Sequence, residues 1–139
     1  MTPRFDGYFQ SGRQRREEWH AGVHMVDDYY EYLKLYADGR WLRKSHPTPD
    51  LDFESYLLGM TDQTFCDGEA GRHPYDRERG EELHHTGRFS HVGDELEFLF
   101  RGFLIIMHER RWKLRVVSPE LLVSDTGAEY VFRATAGAA

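Results

Sequence analysis

Histidine is the residue type whose number and spacing most invite a chemical interpretation. The chain has eight histidines in 139 residues, and imidazole is both a metal ligand and a proton acceptor near pH 7. His20 and His24 have the i, i+4 spacing of two ligands on one helix face, but Ala21 stands where a zinc-protease motif needs Glu. His84 and His85 are adjacent, so a regular strand would point them to opposite faces. These spacings predict no metal site.

His91 and Glu31 are the candidates for acid–base chemistry. His91 alternates with Phe89 and is predicted on the same apolar face, where an imidazole needs a polar partner. Two interpretations remain open for it: a part-buried histidine near a strand end, or a side chain that contacts a ligand or ligates haem. Glu31 shares its predicted face with Leu33 and would also point inward. If both groups enter one cavity they could exchange a proton, with Tyr130 assisting.

Several other kinds of chemistry find no support in the sequence. The one cysteine, Cys66, rules out an intrachain disulfide, and the acidic residues Asp67 and Glu69 disfavour a reactive thiolate. There is no Gly-rich phosphate loop, nucleophile elbow or Cys-x-x-Cys pair. No cofactor is predicted, haem being the remaining alternative.

Charge and hydropathy limit the partners. The formal net charge is −6, which argues against binding to nucleic acid or to an anionic membrane. The basic run at 13–16 is followed by two glutamates and is interpreted as a solvated loop. The N-terminus lacks the apolar core of a signal peptide, and no apolar run approaches the roughly 20 residues that span a bilayer. We therefore expect a cytoplasmic protein.

The elements that must position these residues are predicted from hairpin arithmetic. Residues opposite each other in a tight hairpin have position numbers with a constant sum, and they share a face of the sheet. Turns are predicted at Asp38-Gly39, Gly93-Asp94, Glu109-Arg110 and Thr126-Gly127. They pair Leu35 with Leu42, Lys34 with Arg43, Phe89 with Phe98, His91 with Leu96, Met107 with Trp112, and Val123 with Tyr130.

These pairings separate an inward face from an outward face. The inward aromatic and apolar side chains either fill a core or line a cavity for a flat or apolar ligand. The predicted ligand-binding residues are Leu33, Phe89, His91, Phe98, Phe100, Met107, Trp112 and Tyr130. An outward apolar stripe, if uncovered, would mark an interface between copies of the chain, unless segment 43–80 or 11–28 covers it. The predicted interface residues are Tyr30, Tyr32, Tyr36 and Trp41.

About nine antiparallel strands are expected, including one near Asp6–Gln10. So many consecutive strands close into a barrel or fold into a sandwich, and we predict an all-β, up-and-down barrel of eight to ten strands. Segment 43–80 is predicted to be irregular, with one short helix from about Pro49 to Leu58 and a loop over Asp67–Glu82. Residues 1–134 are predicted to form a single domain and 135–139 a disordered tail.

The order of short motifs resembles that of small lipocalin-like (calycin) barrels. The matching motifs are Gly7-Tyr8-Phe9, the run 32–39, Gly87-Arg88-Phe89 before Gly93-Asp94, and the run 130–133. The usual first-strand Trp is absent, and Tyr8 or Phe9 stands there. The N-terminal third is also similar to the start of the C-terminal domain of certain F-box-only proteins. No F-box helices precede it, so ubiquitin-ligase function is not carried over.

The resemblance implies a barrel that binds a small apolar molecule. The leading hypothesis is accordingly a cytoplasmic lipocalin-like protein that holds a small apolar or aromatic ligand in the barrel without chemistry. One alternative is a small barrel enzyme that uses Glu31 and His91 as its acid–base pair. The other is a non-catalytic, homodimerising interaction module whose core is filled.

Overall fold

The chain folds into a closed antiparallel β-barrel. The structure is a computed structural model, and it describes residues 1–103 and 106–135. Its helices are α1 (Phe53–Leu58) and α2 (Asp62–Glu69). Its strands are β1 (Gly7–Ser11), β2 (Gln14–His20), β3 (Val23–Leu35), β4 (Arg40–His46), β5 (Tyr75–Asp76), β6 (Glu81–Glu82), β7 (His85–Val92), β8 (Glu95–Phe103), β9 (Met107–Ser118), β10 (Leu121–Ser124) and β11 (Glu129–Ala134).

Eight of these strands form the barrel wall. The strand order is β1-β11-β10-β9-β8-β7-β4-β3, and β1 closes the barrel by pairing with β3 through Phe9 opposite Leu33. Strand β2 pairs with the N-terminal half of β3 outside the barrel. The predicted all-β antiparallel barrel is confirmed.

Aromatic side chains fill the barrel interior. Trp112 stacks on Phe98 at a centroid distance of 3.9 Å, and Trp41 meets Trp112 edge-on at 5.6 Å. The buried cluster also contains the aliphatic and aromatic residues Phe9, Leu33, Leu35, Leu96, Phe100, Leu114, Val116, Leu122 and Tyr130. Alternation along each strand places these residues on one face, and closure of the sheet brings that face together as one core.

A second buried cluster lies between the outer face of the barrel and the two helices. Tyr32 and Leu42 on the sheet pack against Phe53 of α1 and Phe65 of α2. Helix α1 begins where the carboxylate of Asp52 accepts a hydrogen bond from the Ser55 backbone N–H at 3.1 Å. Segment 43–80 therefore covers the outward tyrosine stripe, which was the alternative to an interface between copies of the chain.

Segment 43–80 is more ordered than the sequence predicts. Helix α1 lies within the predicted helix, but α2 was not predicted, and its last residues together with β5 and β6 occupy part of the predicted loop. Only Phe65 and Gly68 of α2 are buried, so its hydrophobic periodicity is too weak to be read from the sequence.

The predicted hairpin registers are partly wrong. The turn at Gly93-Asp94 is confirmed, with Phe89 opposite Phe98. At Asp38-Gly39 and Thr126-Gly127 the register is displaced by one residue, because each loop has three residues and ends with a glycine at positive φ. Trp41 therefore points into the barrel and Leu42 outward, the reverse of the prediction.

The predicted turn at Glu109-Arg110 is also wrong. Strands β8 and β9 pair from Phe103 opposite Met107 onward, so the chain reverses between these two residues. Residue 104, which the assumed turn places on the outward face, and residue 105, which it places on the inward face, lie outside the described residues, as do 136–139 of the predicted tail. The single-domain boundary stays a prediction. None of the described helices has both the length and the apolarity needed to cross a membrane.

Candidate functional site

A group of polar and aromatic side chains gathers at one end of the barrel. We call it the mouth site and define it by Glu31, Arg43, His85, Trp112 and Tyr130. Cross-strand pairing explains the grouping, because Arg43 of β4 lies opposite both Leu33 of β3 and His85 of β7. The five residues come from five different strands and project toward the same end of the barrel.

Glu31 and Tyr130 form one half of the mouth site. The hydroxyl of Tyr130 donates to Glu31 Oε2 at 3.0 Å, and the Glu31 backbone N–H donates to the Ser11 side chain at 2.9 Å. Burial, and then the neighbouring Glu31 charge, raise the pKa of Tyr130 above its ordinary value. Its phenol therefore keeps its proton at neutral pH and holds the carboxylate in place.

Arg43 forms the other half. Its guanidinium lies 4.7 Å from the centroid of the Trp112 ring, a cation–π distance. It also donates a long hydrogen bond of 3.4 Å to His85 Nδ1. Because Trp112 in turn stacks on Phe98, Arg43 lies directly against the aromatic column of the core.

His85 is held as a neutral donor and acceptor. Burial, and then the Arg43 charge, lower the pKa of His85 to about 3. Its Nδ1 accepts from Arg43, so the proton is on Nε2, which lies 2.9 Å from Glu82 Oε2. Glu82 thus fixes the tautomer and the ring plane of His85.

A cleft of about 340 Å³ opens beside the mouth site. It is lined by Glu31, Arg43 and His85, together with Arg16, Tyr29, Lys44, Ser45 and residues 81–84. One buried donor of the neighbouring core, Trp112 Nε1, has no hydrogen-bond partner among the described residues. Unsatisfied buried donors are uncommon and call for an acceptor.

Arg43 differs from the other basic side chains of the cleft. Arg16 pairs with Glu18 at 3.9 Å, and Lys44 donates to the Leu83 carbonyl at 3.0 Å. Within the described part of the chain no carboxylate pairs with Arg43, whose contacts are the indole rings and His85. Arg43 is therefore a guanidinium of the cleft that has no carboxylate partner among the described residues.

The predicted ligand-binding residues are distributed unevenly. Leu33, Phe98, Phe100, Trp112 and Tyr130 point into the barrel, and Phe89 packs against them partly buried. The prediction for Met107 is wrong in orientation, because it lies beside Phe103 on the outer face and is exposed. Whether any of these residues binds a ligand stays a prediction.

Glu31 and His91 do not meet. His91 lies six residues beyond His85 along β7, which is about 20 Å in a strand. Glu31 lies on the other side of the row formed by Leu33, Arg43 and His85. The two side chains therefore stand at opposite ends of the barrel, and the predicted acid–base pair is wrong.

The predicted interface residues are largely covered within the chain. Tyr32 and Trp41 are fully buried, Tyr32 beneath the helices and Trp41 inside the barrel. Tyr30 and Tyr36 are partly buried against the same helix-covered cluster. The stripe is not an exposed surface on which a second copy could dock.

A second histidine group borders the site. The Tyr56 hydroxyl lies 2.5 Å from His84 Nδ1, and burial lowers the pKa of His84 to about 4. His73 stacks over Phe100 at 4.8 Å and covers this end of the core. In residues 1–103 and 106–135, no three His, Cys, Asp or Glu side chains are grouped so as to hold a metal ion.

Arg43 is the site residue that the sequence reasoning missed. The two-residue turn assumed at Asp38-Gly39 placed it beside Lys34, facing water, whereas the three-residue loop turns it inward. The signal was the position of Gly39, which has φ +91° as the last loop residue. A glycine there is typical of a type I turn followed by a bulge.

Comparisons with protein-family models, with curated proteins and with solved structures found no match to this chain. The closed barrel and the chemistry of its mouth therefore carry the functional argument.

Proposed function

We propose that the protein is a binder of small ligands that holds a flat aromatic molecule with an acidic oxygen at the barrel mouth. The observation that carries this proposal is the Arg43 guanidinium, which lies 4.7 Å over Trp112 and has no carboxylate partner among the described residues. A planar guanidinium with free donors suits a carboxylate or phenolate.

The aromatic half of the ligand follows from the surroundings of Arg43. The stacked Phe98, Trp112 and Trp41 rings occupy the barrel interior, so a ligand would lie outside it, in the cleft where Arg43 and the Tyr29 ring are exposed to it. A cleft of about 340 Å³ suits a molecule of one or two rings, at the small end of ligand pockets.

The remaining polar groups would orient the ligand. Trp112 Nε1 is a buried donor that could meet a ligand oxygen. Glu31 is occupied by Tyr130 and would exclude a second anion from that side. The proposal requires no proton transfer, since Glu31 and His91 are far apart.

The test uses 1-naphthoate and its neutral amide, 1-naphthamide, titrated against the protein by calorimetry and by tryptophan fluorescence. We expect naphthoate to bind and Arg43→Gln to weaken it by about tenfold or more, the value of a charged hydrogen bond. Arg111→Gln is the matched control, because Arg111 pairs with Glu97 on the outer face. Equal naphthoate affinity in Arg43→Gln and the original protein would refute the proposal.

We include in this proposal a relation of the chain to lipocalin-like barrels. An eight-strand closed barrel with the motif order described above supports a relation to lipocalin-like barrels. The relation of the N-terminal third to F-box-only proteins and the cytoplasmic location stay predictions.

A further inference from the structure

The hairpin formed by β2 and the first half of β3 stands apart from the rest of the fold. Its strands join at Ala21-Gly22, where both residues have positive φ, as in a two-residue type I′ turn. Nearly all its side chains are exposed, including those of Trp19, Val23, Met25 and Val26. A two-stranded ribbon with exposed faces is marginally stable alone.

The outer edge of β2 is unpaired in the described part of the chain, since β2 is the terminal strand of the sheet. In a two-residue hairpin the flanking pair, here His20 and Val23, exchanges both backbone hydrogen bonds, and such pairs then alternate. The backbone groups of Arg15, Glu17 and Trp19 therefore point away from β3. They form an edge that can accept another strand.

The charges along β2 are ordered so that the strand is complementary to a second, antiparallel copy of itself. From 15 to 18 the sequence reads Arg-Arg-Glu-Glu, followed by Trp19. Edge strands often resist pairing because they carry charged side chains, especially Lys, that would repel a like-charged partner. Here an antiparallel second copy would meet opposite charges instead.

We propose that β2 pairs antiparallel with β2 of a second copy of this chain, about a two-fold axis that passes beside Glu17. This register aligns the whole seven-residue strand with itself. It also matches the outward groups of Arg15 with those of the partner's Trp19, and so forms about six backbone hydrogen bonds. A two-fold axis normal to the sheet requires paired residues to be both odd or both even, which this register satisfies.

Each face of the combined sheet gains favourable contacts. On one face Arg16 lies opposite the partner's Glu18. On the other, Arg15, which pairs with Asp28 at 3.4 Å, lies against the partner's Trp19, whose ring is stacked on His24 in each copy. The two Glu17 side chains meet at the axis, flanked by the arginines at 15, and are the one unfavourable pair.

Sedimentation velocity across about 1 to 500 μM protein tests the dimer, because a strand edge buries less than the roughly 1,200 Å² of a standard interface and implies a weak complex. Glu18→Lys creates two like-charge contacts and should weaken dimerisation about tenfold or more. Arg16→Glu should do the same. An equimolar mixture of the two variants should dimerise again, since both cross-strand pairs become opposite in sign.

Cysteine crosslinking tests the register without depending on the stability of the charge variants. In a Cys66→Ser background, Glu17→Cys places two thiols opposite each other at a Cα distance of about 5.5 Å, within disulfide range. Val26→Cys, on the exposed neighbouring strand, is the control and should not crosslink. A monomer at every concentration overturns the proposal, and so does a dimer that Glu17→Cys fails to trap.

Discussion

At the scale of single residues, the mouth site depends on a phenol that keeps a carboxylate in place. Tyr130 donates to Glu31 at 3.0 Å, and both side chains are removed from bulk water to a large degree. A carboxylate that loses its donor in such a position has no water to replace it fully.

Tyr130→Phe should therefore lower the free energy of unfolding by about 1–3 kcal/mol, because the Glu31 carboxylate would lose its buried donor. Urea titration monitored by tryptophan fluorescence measures the loss. Tyr75→Phe serves as the control, since Tyr75 is 58% exposed. Equal losses in the two variants would contradict the assigned hydrogen bond.

At the scale of elements, helix α2 is positioned by the absence of a side chain. Gly68 faces Thr86 of β7 so closely that an added Cβ would collide with the threonine side chain. The ion pair between Arg88 and Glu69 ties the same helix to β7, one residue further along α2 and two residues further along β7. Helix α2 in turn covers Leu42 and Tyr36 through Phe65.

Gly68→Ala should destabilise the protein by about 1–3 kcal/mol, the usual cost of overpacking. The sign is informative, because alanine in an unobstructed helix would stabilise it by about 1 kcal/mol. Thermal unfolding by circular dichroism provides the measurement. Gly59→Ala, whose added Cβ would meet only an ordinary contact at 3.6 Å, should be close to neutral.

A double-mutant cycle isolates the contact. Thr86→Ala removes Oγ1, the atom nearest to the new Cβ, and leaves the Cβ of residue 86 at 2.9 Å, so Gly68→Ala should cost less in that background. Additive losses would mean that Gly68 is required for another reason.

The elements also show how far sequence reasoning reaches. Alternation alone predicts the barrel and the inward positions of Phe98, Trp112 and Tyr130, because closure depends on faces rather than on exact partners. Loop length decides the rest. A dipeptide such as Asp38-Gly39 fits both a two-residue and a three-residue loop, and the choice determines whether Trp41 and Arg43 face the core. The mouth site could not be predicted without that choice.

At the scale of the whole molecule, folding buries two histidines and keeps them neutral. The pKa of His84 is lowered to about 4 and that of His85 to about 3, in both cases mainly by burial. In the unfolded chain a histidine titrates near pH 6.5. Between these values the unfolded state binds protons that the native state does not.

The stability of the protein should therefore fall as the pH is lowered from 6.5 to 5, above the range in which most carboxylates titrate. For two histidines that remain neutral in the native state, the loss over this interval is about 3 kcal/mol. Urea unfolding at a series of pH values measures it. The slope of the free energy of unfolding against pH should be reduced by roughly half in His85→Asn and nearly removed in the double variant with His84→Asn. His91→Asn is the control at an exposed position and should retain the full slope. A double variant as sensitive to pH as the original chain would place the proton uptake elsewhere and contradict the burial of these two imidazoles as its cause.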